Sequence, residues 1–279
     1  MAVYLDFDNI VISRYDQVHG RNSFQKDRAA GFHKQPGRLT QATVDVGAII
    51  DFASSFGTLV LTKAYADWSA DVNADYRGQL VGRAVDLVQL FPAAAYAKNG
   101  ADIRLAVDAV EDMFRLPDLT HVVIVAGDSD YIALAQRCKR LGRYVVGIGI
   151  TGSISRSLTA ACDEFVSYDA LPGVPTVVPK KRAKRTKTQE PDDEPEQPDP
   201  QTAATGLLER ALRIGHEKDD ADWLHNSAVK AQMKRMDPSF SEKSLGFKSF
   251  SDFLRSRTDV VELDENSTTR LVRLKTTAT

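Results

Sequence analysis

"YLDFDNI" runs from Tyr4 to Ile10 and sets Asp6, Asp8 and Asn9 at the end of an apolar run. An apolar run of this kind predicts a strand covered on both faces, as in a parallel sheet. A carboxylate at its end is costly to desolvate unless something positive pairs with it. The same arrangement recurs downstream, where "HVVIVAGDSDY", from His121 to Tyr131, ends its apolar run in Gly127, Asp128, Ser129 and Asp130.

Between and beyond these two stretches, apolar runs alternate with amphipathic segments. Strands are expected near 3–7, 58–66, 93–97, 121–126 and 144–149, and helices near 43–56, 71–90, 102–115, 129–141 and 154–161. Such alternation predicts an α/β fold, a parallel sheet with helices on both faces. Seven of the eleven prolines fall between Pro172 and Pro200, in a stretch almost without aliphatics after Val178. That composition marks a disordered linker over 171–202 and divides the chain into an α/β domain over 1–170 and a second domain over 203–276. In the second domain, "ATGLLERALRIG" and "DADWLHNSAVKAQMKRM" have helical spacing. "SEKSLGFKSFSDFLRSR" puts Leu245, Phe247, Phe250, Phe253 and Leu254 on a helix face, and "VVELDENSTTRLVRL" alternates like a hairpin. Three helices and a two-stranded wing predict a small winged helix.

The chain has 279 residues, 43% hydrophobic and 27% charged, enough for a sizeable core. Its two cysteines, Cys138 and Cys162, have no metal-binding or disulfide spacing, so a reducing, cytoplasmic setting is expected. No apolar stretch approaches the roughly 18 residues of a membrane span, and no membrane association is expected. The formal net charge of -2 hides a segregation. Positions 14–40 carry Arg14, Arg21, Lys26, Arg28, Lys34 and Arg38 against only Asp16 and Asp27, and read as a basic insertion. "KKRAKRTK" in the linker is followed by an acidic run.

The carboxylates follow the strands. Asp6 and Asp8 come after the first, Asp67 after the second, Asp102 after the short third, and Asp128 and Asp130 after the fourth. In a parallel sheet these ends share one edge, where open α/β sheets bind ligands. A lone Asp there is ordinarily a cap, but the set is harder to explain by capping. Two carboxylates about 5 Å apart repel by roughly 3 kcal/mol at an effective dielectric of 20, so several ionised together imply a cation. Carboxylate and water oxygens suit Mg²⁺ or Mn²⁺ rather than zinc. Such a metal would activate a water and clamp a scissile phosphodiester.

In Asp6-Phe7-Asp8-Asn9, "AYADW", "KNGADIRLAVDAV" and "AGDSDYIAL", the chain resembles the NYN domains, a branch of the PIN-like nucleases. The resemblance covers residues 1 to about 170. It implies a metal-dependent ribonuclease with Asp6, Asp102, Asp128 and Asp130 as the acidic pocket and Asp67 as an additional ligand. Asn9 would orient the Asp6 loop, and Lys98, Asp108 and Ser129 would support the site. The basic insertion departs from the pattern and reads as a lid complementary to RNA phosphate. "GFKSFSDFLRSRTDVVEL" resembles the LOTUS or OST-HTH winged helices that accompany NYN domains, which implies an RNA or protein partner. Its phenylalanines read as core, leaving Lys230, Lys234, Arg235 and Lys248 for contact with single-stranded or structured RNA. Two alternatives stay open: a catalytically idle RNA-binding adaptor, and a haloacid-dehalogenase-like phosphatase. The second fits less well because Ile10 stands where that family has Thr or Val. Oligomeric state is not legible.

Overall fold

The computed structural model describes residues 1–32, 36–91, 100–175, 199–219, 221–264 and 270–275. The chain forms two units, Met1–Val177 and Val178–Thr279. No helix among the described residues is long and apolar enough to cross a membrane.

The first unit runs β1 (Ala2–Asp6), α1 (Phe7–His19), α2 (Ser23–Ala30), α3 (Pro36–Gln41), α4 (Val46–Ser54), β2 (Leu61–Ala66), α5 (Asp71–Ala74), α6 (Arg77–Val81) and β3 (Asp86–Gln89). It continues with α7 (Gly100–Arg115), β4 (His121–Val125), a 3-10 turn (Ser129–Tyr131), α8 (Ile132–Arg140), β5 (Tyr144–Gly149), α9 (Arg156–Ala161) and β6 (Glu164–Ser167). All six strands are parallel, in the order β3-β2-β1-β4-β5-β6. This is the α/β fold that the alternation predicts.

The two-residue period of each strand splits its side chains between two cores. Val3 and Leu5 of β1, with Val123, Val125, Val146 and Ile148, face Phe7, Ile10, Ile49 and Leu80. Ala2 and Tyr4, with Val122, Ile124 and Val145, face Leu105, Leu134 and Leu158 of the helices on the other side. Helices therefore cover both faces, which is why these strands read as unbroken apolar runs.

Two local expectations are corrected, and a third falls outside the described residues. The helix expected over 71–90 is two short helices followed by an edge strand. The chain breaks at Gly82 and at Ala84, whose φ is +56°, and β3 is only half-buried, so it carries no strong alternation. The strand expected at 93–97 lies outside the described residues. The segment 14–40, read as a basic insertion forming a lid, is not a separate insertion. It starts inside α1, and the described remainder folds as α2 and α3 against that helix, with Phe24 and Phe32 around Tyr15.

The second unit runs α10 (Pro200–Asp219), β7 (Leu224–His225), α11 (Asn226–Met236), α12 (Phe250–Arg255), β8 (Val261–Asp264) and β9 (Leu271–Leu274). Its sheet is antiparallel with the order β7-β9-β8, one strand more than the expected hairpin. Phe250, Phe253 and Leu254 pack with Leu208, Leu212, Val229 and Met233, and Phe247 packs partly buried against them. The helix read across "SEKSLGFKSFSDFLRSR" is shorter than its apolar spacing predicts. Gly246 turns at a φ of +90°, and Ser249 caps α12 by accepting from the Asp252 amide at 3.2 Å. α10 begins inside the stretch read as linker, and residues 176–198 lie outside the described residues.

Candidate active site

The strand order reverses between β1 and β4: from β1 the chain builds outward through β2 and β3, then crosses back to β4 and continues through β5 and β6. At such a switch point the loops after the two central strands diverge and leave a crevice at their carboxyl ends. Asp6 ends β1 and Asp128 follows β4, so both stand at that crevice. Asn9 joins its two sides, its Oδ1 accepting from the Gly127 amide at 3.4 Å. Gly127 itself tolerates no side chain, because a Cβ would stand 2.7 Å from the Ser153 carbonyl oxygen.

Asp6 is 3% exposed and caps α1, accepting from the Asn9 amide at 3.2 Å. Its other oxygen accepts from the Tyr131 hydroxyl at 2.8 Å. Burial pushes its carboxyl up to about 7, against the pull of these two donors, and the neighbouring Asp102 and Asp8 push the same way. Asp102, in the first turn of α7, is likewise raised, by burial first and then by repulsion from Asp128 and Asp130, with Tyr131 and Asp6 as hydrogen-bonding neighbours. Asp128 is exposed and caps the 3-10 turn, accepting from the Asp130 amide and the Ser129 hydroxyl, each at 3.3 Å. Asp6 and Asp102 thus meet at the buried Tyr131, and Asp102 in turn feels the charges of Asp128 and Asp130.

A second acidic group adjoins the first. Asp8 accepts from Asn73 Nδ2 at 2.6 Å and from the Asp67 amide at 3.2 Å, and its carboxyl is raised chiefly by burial. Asp67 accepts from the Ser69 hydroxyl and from Gln89 Nε2, and the Ser69 bond, with others, holds it below the usual carboxylate range. The charge of the exposed Arg28 on α2 adds a minor favourable influence on Asp8 and Asp67.

The remaining residues fall elsewhere. Asp108 lies under the sheet-facing side of α7, accepting from the Tyr65 hydroxyl at 3.0 Å and Arg104 Nε at 2.9 Å, and is a satisfied buried carboxylate. Arg14 is 3% exposed, pairs with Asp169 at 2.8 Å and stands over the Tyr168 ring, so it is a core residue and not a cation of the rim. Arg38 pairs with Asp27 at 2.8 Å and covers Tyr15. Arg21, Lys26 and Arg28 are exposed. Lys34 and Lys98 lie outside the described residues. In the second unit Lys230 is committed to Glu242 at 2.6 Å and to the Phe250 ring, Lys234 is half-buried, and Arg235 and Lys248 are exposed.

Sequence reasoning missed Tyr131 and Asn73. Tyr131 had a legible signal, three residues after Asp128 and on the same turn; Asn73 had none until α5 placed it over Asp8. Among the described residues no group of three or more His, Cys, Asp or Glu side chains is already gathered as a metal site. The donor set still fits a hard divalent cation. It offers carboxylate oxygens only, and two of its carboxyls are raised by burial and mutual repulsion, a cost a cation would relieve.

The NYN domain family model matches residues 1–169, and the OST-HTH/LOTUS domain model matches residues 198–273. No curated protein matches the chain. Among solved structures, a protein of unknown function from Vibrio parahaemolyticus is similar, with 21% identity and a TM-score of 0.45, over 61% of this chain and 92% of that one.

Proposed function

The chain belongs to the NYN domain family, and from that premise we propose that it is a divalent-metal-dependent ribonuclease hydrolysing RNA phosphodiesters, with its OST-HTH/LOTUS domain engaging RNA. The observation that carries this reading is the meeting of Asp6 and Asp102 at Tyr131 beside the switch point, with Asp128 and Asp130 acting on Asp102. Asp6, Asp102 and Asp128, with Asp130, would hold Mg²⁺ or Mn²⁺, which supplies an activated water and neutralises charge on the phosphoryl oxygens. Tyr131 and the Asn9 amide aim Asp6 and favour its ionised form against the effect of burial, and Ser129 steadies Asp128. Arg28 offsets the repulsion that an acidic crevice exerts on a polyanion and positions the strand through phosphate without reading bases. For the second domain, the support is the family match and the exposed Arg235 and Lys248.

Labelled single-stranded RNA, DNA and a phosphomonoester, incubated with the full chain and Mn²⁺, Mg²⁺ or EDTA, test the reading. RNA should be cleaved only with metal, and Asp128→Asn should abolish it. A second reading, an RNA-binding adaptor with an idle pocket, is favoured by the lack of a pre-gathered metal group among the described residues. RNA binding without cleavage under every metal condition would select it.

A further inference from the structure

We propose that the outer face of α7 is a self-association surface, across which a second copy of the chain lays its own α7 antiparallel. The sheet-facing side of this helix buries Leu105, Ala109 and Met113 together with Asp108 and Asp112. The opposite side should then be polar, as on any helix that covers a sheet. Instead Ile103, Val107 and Phe114 are 63%, 57% and 70% exposed, and Val110 completes their row half-buried. Isolated exposed apolar residues need no explanation, but a continuous stripe over the length of a helix does.

The spacing of the stripe identifies the occupant. Residues 103, 107, 110 and 114 are separated by four, three and four positions, the alternation of a helix-pairing seam. That series reads the same in both directions. A twofold axis across the middle of the helix therefore maps the stripe onto itself, setting Ile103 against Phe114 of the second copy and Val107 against Val110. Self-complementarity of this kind is what a twofold interface requires.

Charge selects the direction. Arg104 and Glu111 are both exposed and occupy the same flank of the stripe, where Arg104 is held by its Nε bond to Asp108 at 2.9 Å. Antiparallel packing brings that flank against its own copy, so Arg104 meets Glu111 twice over. Parallel packing would set the flank against Ala106 and Met113, which offer no partner charge. Four apolar side chains and two ion pairs fall short of a standard interface of about 800 Å² per partner, so the dimer should be reversible.

Sedimentation velocity of the full chain, free of RNA, over a dilution series tests this. The parent should move from monomer to dimer with rising concentration, and Val107→Glu should stay monomeric with its circular dichroism and melting unchanged. Glu111→Arg, which sets arginines face to face, should weaken association at least about tenfold. Arg104→Glu combined with Glu111→Arg should restore it. A parent that is monomeric throughout would overturn the proposal and assign the stripe to another segment of the chain or to an unrelated partner. A dimer indifferent to Val107→Glu would place self-association elsewhere, and failure of the double exchange to restore the dimer would overturn the antiparallel register.

Discussion

The Tyr131 hydroxyl donates to the Asp6 carboxylate at 2.8 Å, across 125 residues of sequence, and ties the turn after β4 to the end of β1. The bond favours the ionised form of a carboxyl that burial has lifted to about 7. Tyr131→Phe should therefore lift it further and cost about 1.5–3 kcal/mol, the worth of a hydrogen bond to a charged group. The sign follows from proton binding. The folded state holds a proton on Asp6 that the unfolded state has released, so the metal-free protein loses stability as pH rises from the ordinary aspartate range through about 7. The cost of Tyr131→Phe should be largest above that range and shrink below it. Denaturant melts of parent and variant in EDTA across pH check this, and a cost independent of pH would show that the bond does not act on the ionised form.

Carboxylates of two kinds stand on α7, and their substitutions should separate. Asp102→Asn relieves repulsion with Asp6, Asp128 and Asp130, so the apo protein should melt higher, by about 2–4 °C for each kcal/mol relieved. It should also lose both its thermal response to Mn²⁺ and its cleavage activity. Asp112 instead holds Lys63 at 2.7 Å and accepts from the Tyr4 hydroxyl at 3.2 Å under the sheet. Asp112→Asn leaves Lys63 without its ion pair and should cost about 3–5 kcal/mol. The response to Mn²⁺ should survive in whatever fraction remains folded. Calorimetry with and without metal distinguishes the two.

The arginines of the N-terminal helices divide in the same way. Arg28→Gln should weaken single-stranded RNA binding and flatten its salt dependence by about 0.7 of a log-log unit for each phosphate that the arginine neutralises. Turnover at saturating RNA should change less than affinity. Arg14→Gln removes the partner of Asp169 within the core and should lower the melting temperature while leaving the salt slope unaltered. Binding titrations at several salt concentrations, set beside melting curves, read both effects.

In the second domain, burial pushes the Glu242 carboxyl up, but the 2.6 Å bond from Lys230 and the nearby Lys234 charge outweigh it and hold the group below its ordinary value. The folded state thus releases the proton more readily than the unfolded chain. Stability from this pair is present above the ordinary glutamate range and is lost as pH falls through the depressed folded value. Lys230→Met should remove that dependence and leave Glu242 buried without a partner. Acid titration of the full chain, followed by the near-ultraviolet signal of Trp223 in this domain, should show the parent's acid limb flattened in the variant.

Asp6 and Asp128 were legible because a carboxylate at the end of an apolar run contradicts its surroundings, and such contradictions survive in one dimension. The parallel sheet was legible for the same reason: β1, β4 and β5 are covered on both faces and carry unbroken apolar sequence. β3 was lost because an edge strand, half-buried, looks like the helix that precedes it. Arg14 looked like a surface cation because nothing local distinguishes it. Its anion, Asp169, lies 155 residues away and meets it only once the chain has folded. Asn73 escaped notice because an amide is ordinary loop material until the fold aims it at a carboxylate.

The strand that carries Asp6 is central in its sheet yet precedes the other five strands of that sheet along the chain. Ala2 pairs with Leu61 on one side and with Val122 on the other, so the two edges of β1 are closed at different times as the chain emerges from the ribosome. The β2 half can assemble first. Until β4 has been made, the nascent protein presents the open edge of a strand that the finished molecule hides completely, and such edges invite mispairing. The candidate catalytic residues inherit that schedule. Asp6 waits for Tyr131 and Asp128, so the site cannot exist before the last third of its domain is translated, and a ribosome stalled short of β4 would leave an aggregation-prone fragment without a functional pocket.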